Sequence, residues 1–73
     1  MTLADDIMNE LRQKPGLTAM EIAVNIFGSR QYYRKVYQEC RRLVHAGRLV
    51  RRGKGRQDDP FTYYLPRAVP KPD

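Results

Sequence analysis

A chain of 73 residues, 41% of them hydrophobic, can build one small core, and its 14 Lys and Arg against 8 Asp and Glu leave a formal charge of +6. A core of this size supplies only about 3–5 kcal/mol, so an enclosed multi-residue active site is excluded as a second use of the same side chains, and function is expected on the surface. The single cysteine, Cys40, excludes a disulfide framework and the Cys-rich zinc patterns, and it fits a reducing, cytoplasmic setting.

The first residues carry no basic segment followed by an apolar one, so neither secretion nor membrane insertion is expected. Leu3, Ala4, Ile7, Met8 and Leu11 then recur at helical spacing and predict a helix over 3–13. Thr2 is its candidate cap, Asp5 and Asp6 suit its positive end, and Lys14-Pro15-Gly16 ends it. Thr18-Ala19-Met20-Glu21 is a capping box, with Leu17 and Ile22 spaced as a hydrophobic staple, opening a short helix over 19–26. Phe27-Gly28-Ser29 makes a tight turn in which Ser29 can cap the next helix.

The longest helix is predicted over 30–46, stopped by Gly47. Tyr33, Val36, Cys40, Leu43 and Val44 form its packing stripe. Gln31, Arg34, Lys35, Gln38, Arg42 and His45 lie opposite, on a face free to touch a partner. Beyond it, two β-prone runs at 48–52 and 61–65 flank a polar glycine-containing connector and predict a hairpin, with Phe61, Tyr63 and Leu65 inward. The proline-rich end, 67–73, is expected to be a flexible tail outside a single domain of residues 1–66.

The charge is partitioned. Residues 30–56 hold ten Lys and Arg against Glu39 alone, a net +9, while the segments on either side are slightly acidic. A localised basic field is a partner signal rather than a solubility signal. Short helix, glycine turn and long basic helix make a helix-turn-helix, whose second helix enters the major groove in DNA-binding versions. Gln31, Arg34 and Gln38 have the chemistry to read base edges. Lys35, Arg42, Arg51, Arg52, Lys54 and Arg56 suit phosphates, Arg30 is a further DNA-binding candidate, and the helix starts near Thr18 and Ser29 offer backbone amides. About four to six phosphate contacts would give a log-log salt slope of roughly −4 to −5.

Leu43-Val44-His45-Ala46-Gly47-Arg48-Leu49-Val50-Arg51-Arg52, answered by Tyr63-Tyr64-Leu65, resembles the closing pattern of the winged helix-turn-helix domain of small bacterial transcription regulators. The resemblance implies a mostly α fold of three helices with a small β-hairpin, the long helix in the major groove and the wing, 51–56, on phosphate or the minor groove. Asp58 and Asp59 in the same connector would repel phosphate. They are expected on the strand side of the tip, pairing with an arginine or starting the turn before Pro60.

The remaining chemistry is sparse. His45 stands alone in a last helical turn, Cys40 sits on the packing stripe, and Gly53-Lys54-Gly55 lacks the rest of a phosphate-loop motif. Asp5-Asp6 and Asp58-Asp59 are neighbours in sequence, not a pair held across a cleft, so no catalysis, metal or cofactor is expected. The expected partner is double-stranded DNA, bound by a monomer or weak homodimer, possibly beside a larger protein, with no small-molecule substrate evident. A protein-protein or RNA-binding adaptor is the alternative, distinguished by an apolar contact patch and weak salt dependence.

Overall fold

The computed structural model describes residues 2–66; the tail expected over 67–73 lies outside the described residues. Helix α1, Leu3–Gln13, opens on a reciprocal cap in which the Asp5 amide donates to Thr2 Oγ1 at 3.2 Å and the Thr2 amide donates to Asp5 Oδ2 at 3.3 Å. Those bonds favour the charged carboxylate and hold Asp5 below its usual pKa. The same device starts α2, Ala19–Phe27, where Glu21 N–H donates to Thr18 Oγ1 at 3.2 Å and Thr18 N–H to Glu21 Oε1 at 2.9 Å. The staple residues Leu17 and Ile22 are both buried. Helix α2 runs one residue past its predicted end and closes on Gly28 in the left-handed region, φ 68°.

The long helix differs from its prediction at the start. Arg30–Tyr32 is a single 3₁₀ turn, and α3 spans Tyr33–His45. Ser29 Oγ accepts from the amide of Gln31, and the Tyr33 amide reaches back to the Arg30 carbonyl, so the chain enters by a tighter turn than an α-helix makes. At the other end the amides of Gly47 and Arg48 donate to the carbonyls of Val44 and Leu43 at 3.0 and 2.8 Å, a Schellman arrangement built on Gly47 at φ 75°. This shortens the predicted first strand. Arg48 and Leu49 spend their amides on Leu43, so pairing begins only at β2, Val50–Arg52.

The largest departure from the predicted hairpin is a third strand. Leu17–Thr18 forms β1, and the sheet is antiparallel in the order β1-β3-β2, with β3, Thr62–Tyr64, in the centre. Tyr63 pairs with Leu17 on one side and Arg51 on the other. The strand from Phe61 to Leu65 is shorter than expected, but its facing is as predicted: Tyr63 is fully buried and Phe61 and Leu65 pack against the core.

That core joins Ile7 and Leu11 of α1, Ala19, Ile22 and Ala23 of α2, Val36, Cys40 and Leu43 of α3, and Leu17, Leu49 and Tyr63. Every α3 stripe residue is buried or half-buried except Tyr33, which is 36% exposed and corrects its expected core position. Among the described residues no helix is long and apolar enough to cross a membrane.

Burial of Cys40 has a measurable consequence. Removal from water pushes its thiol up to about 12, with Glu39 adding a smaller push, and burial raises the Tyr63 phenol in the same direction. Both groups keep their proton in the folded state at pH values where the unfolded chain releases it. Unfolding is therefore favoured as pH rises above the ordinary thiol value of 9.0, and the stabilisation present below that pH is progressively lost toward about 12. Urea midpoints at pH 8 and pH 10.5 (about 1.5 units above the ordinary thiol value) should show a clear loss at the higher pH, and Cys40→Val should reduce that loss. An unchanged pH dependence in the variant would remove Cys40 as its source.

A candidate nucleic-acid interface

Helix α3 buries Val36, Cys40 and Leu43, and this sets which side of it faces out. Arg34, Lys35, Gln38 and Arg42 are all exposed on the other side, and Gln31 and Arg30 are exposed on the 3₁₀ turn that leads into it. Ser29, half-buried, is committed to capping that turn. Arg41, which the sequence pattern did not single out, is exposed as well. Seven residues beyond Arg34, it sits only about 20° around the helix from it, so the 3.6-residue period was the signal that places it on this face.

Within this basic surface there is one ion pair among the described residues. Arg42 donates to Glu39 at 3.3 Å, with Arg42 79% and Glu39 19% exposed. An exposed pair one turn apart on a helix contributes at most about 0.5 kcal/mol, so Arg42 is easily withdrawn to meet a stronger anion. Arg34 and Lys35 have no carboxylate partner among the described residues.

The cations of β2 and the β2–β3 connector are less uniform. The Arg51 guanidinium lies 4.3 Å from the centroid of the Phe61 ring, a cation-π contact that holds it half-buried against the sheet. Arg48 is turned toward α1, where Nη2 reaches Met8 Sδ at 3.5 Å. Arg52, Lys54 and Arg56 are exposed.

The structure corrects the placement of Asp58 and leaves Asp59 on the strand side of the tip, before Pro60. Arg56 N–H donates to the Asp59 carbonyl at 3.1 Å and Asp59 N–H to the Arg56 carbonyl at 3.0 Å, leaving Gln57 and Asp58 as the two residues of the apex. Asp58 thus stands at the tip rather than on its strand side, and neither aspartate carboxylate pairs with an arginine among the described residues. Asp59 acts through its backbone, its carbonyl also receiving the Lys54 amide at 3.2 Å.

Glycine makes this folded tip possible. A Cβ on Gly55, at φ 75°, would meet the Phe61 ring at 2.5 Å, and one on Gly53, at φ 98°, would meet the Pro60 carbonyl oxygen at 2.5 Å.

Between α3 and the β2–β3 connector lies a cleft of about 360 Å³, lined by Tyr33, Tyr37, Phe61, Tyr63, Arg56, Gln57 and the start of α2. Tyr33 and Tyr37 lean on each other with ring centroids 6.0 Å apart and planes at 30°. Their stacking, and the empty space they face, explain why Tyr33 is not covered. A second exposed aromatic pair, Phe27 and Tyr32 at 4.6 Å, sits beside Val24 at the end of α2.

Compared with known proteins, the chain matches no family model, no curated protein and no solved structure.

Proposed function

We propose that this protein is a winged helix-turn-helix that binds double-stranded DNA with sequence preference and regulates transcription. In this reading α2, the Gly28–Ser29 turn and α3 are the helix-turn-helix, and the β2–β3 connector is the wing. The observation that carries it is the unpartnered, exposed run of Arg34, Lys35, Gln38 and Arg41 along one side of α3 in a segment of net charge +9. Arg34 and Gln38, one turn apart, have the hydrogen-bonding forks for guanine and adenine, while Lys35, Arg42, Arg52 and Lys54 supply phosphate contacts. No catalytic step is part of this function.

The decisive experiment is fluorescence anisotropy with random duplex DNA at two salt concentrations. Affinity should fall by roughly 10² or more between about 50 and 200 mM salt. Binding that ignores salt over this range is incompatible with the proposal.

The acidic apex adds a directional expectation. Asp58 repels phosphate wherever the wing approaches the backbone, so Asp58→Asn should tighten duplex binding by about three-fold or more at low salt, with a smaller gain at high salt. If affinity is unchanged, the apex points away from the DNA and α3 alone makes the contact.

A second reading is favoured by one observation: the Val24, Phe27 and Tyr32 patch is apolar and exposed. Such a patch suits a protein partner, and an adaptor role would show as salt-insensitive association lost in Phe27→Ser.

A further inference from the structure

Helix α3 and the β2–β3 connector border one hollow with aromatic residues in its lining. Tyr33, Tyr37 and Phe61 all line it, and the volume, about 360 Å³, is within the range of about 300–1,000 Å³ found for small-ligand sites. Phe61 is held in place by Gly55 against its edge and Arg51 over its face, so that part of the lining is pre-formed. Tyr63 also contributes to the lining, but it is fully buried and its hydroxyl, which has no hydrogen-bond partner, is closed off from the solvent that fills the cleft. Arg56 and Gln57, both exposed at the rim, add a cation and an amide able both to donate and to accept.

We propose that this cleft seats one unstacked nucleobase against Tyr33, Tyr37 and Phe61, with its phosphate against Arg56. Aromatic faces accept any base by stacking, the surrounding field is positive, and the exposed Gln57 amide can donate to an acceptor on a base edge. A base inside an intact duplex cannot enter. The occupant is a nucleotide of a single or frayed strand, or a free nucleotide of the same chemistry. The inference shares the nucleic-acid partner with the reading above but not its duplex geometry.

Three probes separate the possibilities: a labelled oligothymidylate followed by anisotropy, thymidine monophosphate followed by quenching of tyrosine fluorescence, and a short duplex titrated in parallel. Each is measured with the unaltered protein, Tyr33→Ala, Tyr37→Ala and Lys35→Ala, with circular dichroism to confirm folding. Tyr33 is exposed, so its variant keeps the site testable even where loss of Tyr37 disturbs the core.

The oligothymidylate should bind and lose about five-fold or more in affinity in either tyrosine variant, while duplex binding in those variants changes far less than in Lys35→Ala. Binding of thymidine monophosphate with the same tyrosine dependence also supports the site and identifies a free nucleotide as an occupant. If neither probe binds, or if folded tyrosine variants bind the strand as well as the unaltered protein, the inference is overturned. Duplex binding with neither strand nor nucleotide binding overturns this site alone, and strand binding without duplex binding overturns the duplex reading alone.

Discussion

Arg34→Ala and Gln38→Ala should each weaken binding to a duplex selected from a random pool by about 1–3 kcal/mol, roughly five-fold to more than a hundred-fold, and relax sequence preference at the position read. On random duplex the same variants should change affinity much less, because a base contact contributes little when the sequence is not matched. Lys35→Ala should behave in the opposite manner. Its loss should be similar on both duplexes and should make the log-log salt slope about one unit shallower. These contrasts arise from the outward side of α3, where Arg34 and Lys35 meet no carboxylate among the described residues and are available at no cost in lost ion pairs. Selection that enriches no sequence, or equal binding by all four proteins, would remove α3 as the reading element.

Ile22→Ala should cost about 2–5 kcal/mol, read from urea midpoints by circular dichroism. Ile22 is fully buried where α2 meets the other two helices, and its neighbours in the core cannot all collapse into the space it leaves. For a domain of 73 residues, total stability is about 4–11 kcal/mol, so this one change should bring the protein close to unfolding at physiological temperature. The exposed neighbour Asn25 provides the comparison, since Asn25→Ala should stay within about 0.5 kcal/mol. A midpoint shift at Ile22 no larger than that at Asn25 would mean that the three helices do not share one core.

The two experiments probe linked features. The hydrophobic stripe that includes Val36, Cys40 and Leu43 determines the rotation of α3, and that rotation presents Arg34, Gln38 and Arg41 to the outside. A core change that loosens α3 should therefore reduce DNA affinity through orientation even though it touches no exposed residue.

Local chemistry makes the helices legible in the amino-acid sequence alone. The cap at Thr2, the box at Thr18, the glycines at 28 and 47 and, except at Tyr33, the period of the apolar side chains act within a few residues, and each does in the fold what its spacing implies. The confinement of positive charge to 30–56 is likewise a property of the chain itself. Two features that bear on the surface depend on contacts distant in sequence, and a third depends on how the connector folds on itself. Strand β1 is two residues long and exists because Leu17 and Thr18 meet Tyr63 and Thr62, so no local periodicity could announce it. Tyr33 fits a packing stripe by angle, yet an edge position is covered only if something packs opposite, and there the β2–β3 connector leaves a cleft. Asp58 stands at the apex because Arg56 and Asp59 exchange backbone hydrogen bonds around Gln57 and Asp58, a register that the glycines permit and the seating of Phe61 accompanies. Capping and periodicity are energies of neighbouring residues, whereas edge burial and loop register are energies of surfaces brought together only when the chain closes on itself.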